Sequence, residues 1–331
     1  MDRICEFGIL IIENNINGIR DLIDTDHKEV LASIEMDHGK KALNLDKTVE
    51  LNCHKEIHEH QPTWRFCGEE NLRDRNLDLS NEKRVCVLAD VVDGTDLVQR
   101  GLSNWCSCFV FFDPSKPRGE KILASFVALP DGEVYYARHD MSGAFVTRFV
   151  YLTKAPGKTK MVQVKKSKAY LRSPNLRVRD GTFPTTGVST TTDIRKASVC
   201  FYGQKLGNME TTISHTFYER TKELRDTQFR IYNLAGIPMM MKMIEHGLKK
   251  TQSIDAVVDV AGQQPHDVVP GAFIAKKAGA VFKHLEGNCI GENIELPDLE
   301  SLLLRPAATR LKYVAAGTSE LADKLVAIWR K

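Results

Sequence analysis

Apolar residues recur with two different periods along the chain. In the first sixty residues Ile4, Phe7, Ile11 and Ile12 repeat at helical spacing, and Val49, Cys53 and Ile57 do so again after Asp46, predicting a helical N-terminal region. From about residue 64 the texture changes to short runs rich in β-branched and aromatic residues: WRFCGEE, VCVLADVVDGTD, SCFVFFD and ILASFVAL. Several end in Gly or an acid, and together they predict buried strands. Asp131-Gly132, followed by alternation, predicts a hairpin. After about residue 195 strands (ASVCFY, DAVVDV, RLKYVAAG) alternate with helices (HTFYERTKELRD, GIPMMMKMIEHGLKK, DVVPGAFIAKKAG, SELADKLVAIWRK). This is an α/β (α+β) pattern. We place a subdomain boundary near residue 190, giving an N-terminal part, 1–190, and a C-terminal part, 191–331.

Composition narrows the class without naming it. The 331 residues leave room for about two domains. With 42% apolar and 27% charged residues the chain is neither disordered nor a disulfide scaffold. A net charge of +3 is too balanced for a nucleic-acid binder, and no apolar run approaches the length of about 18 residues that a membrane span needs. The N-terminus lacks a signal-peptide cleavage site. Eight scattered cysteines contain no CxxC pair, and several lie in apolar runs, so free thiols and a reducing, cytoplasmic compartment are expected. The expected partner is a small metabolite rather than nucleic acid or a membrane. Residues 148–179 form an acid-free basic stretch, expected to be a solvated loop or exposed hairpin; a rim attracting an anionic substrate is the alternative.

Chemistry concentrates in acids at the ends of apolar runs. VCVLAD delivers Asp90, and Val91-Val92-Asp93-Gly94-Thr95-Asp96 follows. Two carboxylates three residues apart, where a strand begins to turn, can converge on one point. Gly94 removes the side chain where a ligand must approach the backbone. Thr95 adds a hydroxyl, and the N–H groups of a following helical turn suit a phosphate. Glu69 and Glu70 end another apolar run, and Asp267 stands just before VVPGAFIAKKAG, with Pro270 expected in that helix's first turn. Carboxylates gathered together repel one another, and a hard divalent cation such as Mg2+ removes that repulsion.

The order of these segments resembles the inositol monophosphatase and fructose-1,6-bisphosphatase superfamily of magnesium-dependent, lithium-sensitive phosphatases. The resemblance rests on Gly68-Glu69-Glu70, on Asp90-Val91-Val92-Asp93-Gly94-Thr95, and on His266-Asp267-Val268-Val269-Pro270-Gly271 running to Lys277-Ala278-Gly279-Ala280. It implies a layered αβαβα sandwich with the active site between two subdomains. It also implies that Glu69, Asp90 and the main-chain carbonyl of Val92 hold one magnesium, and that Asp90, Asp93 and Asp267 hold a second. Glu69 would share a third ion through water, with Glu70 behind it. Thr95, supported by Asp46, would orient and help deprotonate the attacking water. The main-chain N–H groups of Gly94 and Thr95 would hold phosphate oxygens.

The function so implied is hydrolysis of a small phosphorylated polyol or sugar by a homodimer. Fructose-1,6-bisphosphatase or 3′(2′),5′-bisphosphate nucleotidase activity is the alternative, and a catalytically inactive anion-binding relative is an alternative of another class. Departures from the family pattern are Val91 for Pro, His266 for Trp, Pro270 for Ala and Lys277 for Glu. The family's substrate-contacting Gly-Ser-Ala aligns with Asn233-Leu234-Ala235, and its hydroxyl-reading acid falls near Asp259 or Val260. Among weaker signals, His54, His58 and His60 are expected on a solvated helix end, Met239 to Met243 in the core, and Lys277 on an exposed helix face.

Overall fold

The computed structural model describes residues 3–25, 32–35, 41–71, 77–154, 158–163, 183–202, 205–234, 236–246 and 254–330. Most of the basic 148–179 stretch lies outside them. Its described part extends β8 (Ala144–Lys154) into an antiparallel pair with β9 (Lys158–Gln163).

Two sheets organise the chain. The larger runs β13 (Ile244–His246), β10 (Phe183–Val188), β8, β7 (Glu133–Arg138), β6 (Ile122–Ala128), β5 (Cys106–Phe112), β4 (Cys86–Asp93) and β3 (Arg65–Gly68), with β9 paired to β8. The smaller runs β12 (Arg230–Tyr232), β11 (Ser198–Phe201), β14 (Ala256–Gln263), β16 (Leu311–Ala316) and β15 (Val281–His284).

Helices α1 (Arg3–Thr25) and α2 (Asn44–His60) cover one face of the larger sheet, burying Ile11, Ile12, Ile16 and Val49 against Phe109, Phe111 and Phe126. Three helices fill the space between the sheets: α6 (Ile237–Lys242), α7 (Pro265–Lys277) and α8 (Leu296–Leu304). There Val268, Phe273 and Leu299 meet Val110 and Phe112 on one side and Val257 and Tyr313 on the other. Helices α5 (His215–Thr221) and α9 (Ser319–Trp329) cover the outer face of the smaller sheet. The layers therefore run α/β/α/β/α, as expected. Strands of the central layers are apolar on both faces because both faces are covered.

Several local expectations change. The N-terminal region is not helical throughout: β1 (Ser33–Glu35) and β2 (Lys41–Leu43) pair between the two helices. The helix expected over 236–250 ends after Lys242, and Ile244–His246 join the larger sheet beside β10. Methionines 239, 240, 241 and 243 are buried, as expected. Helix α7 begins at Pro265, so Asp267 sits in its first turn and Pro270 lies inside it. Proline there leaves the carbonyl of His266 without its helical N–H. The Cys108 thiol of β5 takes that carbonyl at 3.6 Å, and the Ser125 hydroxyl of β6 donates to the Pro270 carbonyl at 2.8 Å. The proline thus keys the central helix to the sheet behind it. Lys277 is not on an open face: its Nζ donates to the carbonyls of His139 and Met141 and lies 5.8 Å from the Phe273 ring. Among the described residues no helix is long and apolar enough to cross a membrane. All eight cysteines are free, and only Cys289 is exposed.

Candidate active site

The strand carrying the acids ends in an irregular register. Asp90 faces Cys108 and Asp93 faces Cys106, with a shift in pairing between them. Two residues separate these acids on β4 while one separates their partners on β5, so the strand bends as it ends. Gly94 follows with φ of 93°. An added Cβ there would lie 3.2 Å from the Asn104 carbonyl oxygen and from the Trp105 Cβ. Only glycine suits both that conformation and that close approach. The parallel neighbour β3 places Gly68 beside Ala89, and Glu69 opens the 3-10 turn that follows. Glu70, behind it, is buried.

These segments meet α7 at one cleft of about 210 Å³. Its wall includes Glu69, Asp90, Val92, Asp93, Gly94, Thr95 and Asp267, joined by Asn104, Tyr202 and Pro238. Seven of the eight expected site residues are therefore together. The eighth, Asp46, is buried on α2 and is not part of this wall.

Each acid is held in place. Asp90 Oδ1 accepts the Val92 N–H at 3.1 Å. Asp93 accepts the Ile237 N–H and the Cys106 thiol, the latter at 3.7 Å. Asp267 Oδ2 accepts the Gln264 N–H at 3.3 Å, closing a capping box in which the Gln264 side chain accepts from the Asp267 N–H. Asp267 is therefore the third residue of its helix rather than the cap.

Crowding shows in the electrostatics. Burial, then Glu69 and Asp93, raise the Asp90 carboxyl well above the usual range. Burial, then Asp267 and Glu69, push Asp93 up to about 7, with the Cys106 and Ile237 contacts opposing. Asp267 is raised by burial, with His266 opposing and Glu69 adding. The Tyr202 hydroxyl, buried near Asp267 and Asp93, rises to about 12. Such a set favours a proton or a cation among its oxygens. Among the described residues no group of three or more His, Cys, Asp or Glu side chains is arranged to hold a metal ion as it stands. The acids line the cleft and leave its centre to whatever enters. The donors that line it, the carboxylates of Glu69, Asp90, Asp93 and Asp267 with the Val92 main chain beside them, are the oxygen type that magnesium takes.

Several contributors were not singled out by sequence. Glu50, buried on α2, accepts the Glu70 N–H at 2.9 Å and so holds the turn bearing Glu69. A Cβ at Gly68 would come within 2.3 Å of the Glu50 carboxyl carbon. The glycine before the two glutamates thus makes room for a carboxylate. Only the one-turn spacing of Asp46 and Glu50 hinted at this. Asn104 Nδ2 donates to the Leu234 carbonyl at 3.1 Å, which ties the 233–234 segment to the cleft wall; Ala235 lies outside the described residues. The position expected to read a substrate hydroxyl is corrected: Asp259 is fully buried, its Oδ1 accepting the Gly262 N–H at 2.6 Å.

No family model matches the sequence, and no curated protein is similar to it. Solved structures are similar over nearly the whole chain. The Thermotoga maritima IMPase is 16% identical, with 99% of this chain and 97% of that one covered at a TM-score of 0.61. The extragenic suppressor protein SuhB from Bartonella henselae is 13% identical, with 100% and 99% covered at a TM-score of 0.63. An IMPase/NADP phosphatase complexed with Mg2+ and phosphate is 14% identical, with 98% and 94% covered at a TM-score of 0.62. The chain has the fold of these structures.

Proposed function

We propose that the chain is a magnesium-dependent phosphatase of the inositol monophosphatase type, acting on a small phosphorylated polyol or sugar between subdomains 1–190 and 191–331. The observation that carries this reading is the convergence of Glu69, Asp90, Asp93 and Asp267 on one cleft with Gly94 and Thr95. The shared fold supports it, as does the Mg2+ and phosphate of one similar structure.

Glu69, Asp90 and the Val92 carbonyl would hold one magnesium, and Asp90, Asp93 and Asp267 a second. When bound, the ions neutralise charge on the phosphoryl group and lower the pKa of a water for in-line attack. Gly94 and Thr95 hold phosphate oxygens through their main-chain N–H groups. Thr95 Oγ1 orients the attacking water and, supported by Asp46, helps take its proton. The left-handed Gly94 sets the direction of both N–H groups. Cys106 and the Ile237 N–H fix the Asp93 carboxylate before substrate arrives, so little reorganisation remains for the reaction itself. The same reading carries a cytoplasmic homodimer inhibited by lithium.

The test is phosphate release from a panel of sugar, inositol and nucleotide phosphates, including fructose 1,6-bisphosphate and 3′,5′-bisphosphates, with and without magnesium. Magnesium-dependent release from a sugar or inositol phosphate is expected. No release from any compound refutes the reading.

A further inference from the structure

Helix α1 carries a polar residue on its buried face. Ile11, Ile12, Ile16 and Ile19 turn into the core, and Asn15 among them is only 5% exposed. A buried amide costs stability unless its donors and its acceptor are met, and here each is met. Asn15 Nδ2 donates to the Val91 carbonyl at 3.0 Å and to the Ser107 hydroxyl at 2.6 Å. Its Oδ1 accepts the Cys53 thiol of α2 at 3.4 Å.

Both donated bonds end on the irregular step of the larger sheet. Ser107 is the single residue of β5 opposite Val91-Val92, the pair that separates Asp90 from Asp93 on β4. The extra residue of such a bulge loses its ladder partner, and Asn15 takes the Val91 carbonyl in its place. The Val91 carbonyl and the Val92 N–H belong to one planar peptide unit. With no cis bond in the structure, they point to opposite sides of the chain. One end is held by Asn15, and the other donates to Asp90 Oδ1 at 3.1 Å. A rigid unit pinned at its carbonyl has its N–H direction fixed as well. Asn15 thereby reaches the Asp90 carboxylate without itself standing on the cleft wall.

We propose that Asn15 is a positioning residue for the cleft: it clamps the Val91–Val92 peptide and so sets the Asp90 carboxylate and the Val92 carbonyl for cation binding. This rests on the phosphatase reading and deepens it, adding a residue of α1 on which the end of β4 depends. Without the amide the Val91 carbonyl is buried and unpaired. The peptide then turns toward another partner and takes its contact with Asp90 along. Groups that orient ligands in this way are worth about ten- to a hundredfold in metal affinity. Cys53 supplies the contrast, because its thiol meets the amide at Oδ1 and not at the nitrogen that holds Val91.

The experiment titrates Mg2+ into the full-length wild type, Asn15→Leu and Cys53→Ala by calorimetry. The dissociation constant should rise about tenfold in Asn15→Leu and stay within about twofold of wild type in Cys53→Ala. A general loss of stability would lower the folded fraction of either variant without moving that constant. Asn15 is also the one buried asparagine among the described residues. In wild-type protein labelled with 15N-asparagine, its side-chain amide should therefore stand out as a slowly exchanging pair, and its resonances should shift when Mg2+ is added. This measurement answers the question even if Asn15→Leu does not fold. An unchanged Mg2+ affinity in Asn15→Leu, or a wild-type amide pair that Mg2+ leaves in place, would overturn this inference alone. A wild type that binds no Mg2+ would overturn the inference and the phosphatase reading together.

Discussion

The stability of Asp259→Asn relative to the wild type should rise with pH. Asp259 is fully buried on β14, and its Oδ2 has no hydrogen-bond partner among the described residues. Burial raises its carboxyl from the ordinary 3.8 to about 7, with the Gly262 and Ala261 N–H groups opposing and Asp267 adding. The folded state then holds this proton more tightly than the unfolded chain does. Stability from this position is therefore full below the unfolded value near 3.8, is lost as pH climbs to about 7, and levels off above. Between pH 5 and 8 the shift spans about two units, or about 3 kcal/mol at 1.4 kcal/mol per unit. Asn keeps an acceptor for Gly262 and does not titrate. Its amide N–H₂ occupies the place of the unpartnered oxygen, at a pH-independent cost of about 1–3 kcal/mol. The informative quantity is thus the difference between wild type and Asp259→Asn, measured by urea unfolding at pH 5 and again at pH 8. That difference should move by about 3 kcal/mol in the variant's favour. Movement of less than about 1 kcal/mol would refute the reasoning, because the carboxyl would then be no harder to ionise in the fold than out of it.

Other perturbations probe the cleft. Asp93→Asn or Asp267→Asn should lower kcat by about a thousandfold or more, several kcal/mol of charge stabilisation, while circular dichroism stays native; a variant with near-normal turnover would contradict the assigned role. Gly94→Ala puts a Cβ on a left-handed residue, 3.2 Å from the Asn104 carbonyl oxygen and the Trp105 Cβ, and should cost about 1–3 kcal/mol in chemical denaturation together with phosphate turnover. Gly68→Ala pushes into the Glu50 carboxylate and should loosen the turn that carries Glu69. Weaker metal binding by titration calorimetry, with about 1–3 kcal/mol lost in unfolding, is expected, and unchanged metal affinity would count against Glu50 as the support of that turn.

Strands 86–93, 106–112 and 122–128 were legible because each is a continuous apolar run, and helices 3–25, 265–277 and 319–329 because their apolar spacing is long and regular. Strand 281–284 and helix 296–304 were not singled out. The first is too short to show a period, and the second, LPDLESLLL, follows a Gly- and Asn-rich segment that masks its start. The helix expected to run through Met243 and beyond shows the opposite error. An apolar run buried on all sides looks the same in helix or strand, and pairing with β10 decided in favour of a strand for Ile244–His246.

What the sequence by itself determined is local: which runs are strands, which acids end them, and that a glycine without a side chain follows Asp93. It also supplied the identity of the acids in the cleft, because their order and spacing carry a resemblance. Only the tertiary structure decided which polar groups would meet. Glu50 beneath Glu69, His266 beside Glu69, the Cys108 thiol on a carbonyl freed by Pro270, and the burial of Asp259 all depend on contacts between segments distant along the chain. Periodicity tells a side chain which face of its own element it occupies. It does not tell which other element will cover that face, and desolvation and hydrogen bonding, which set the chemistry of a buried group, are properties of that covering.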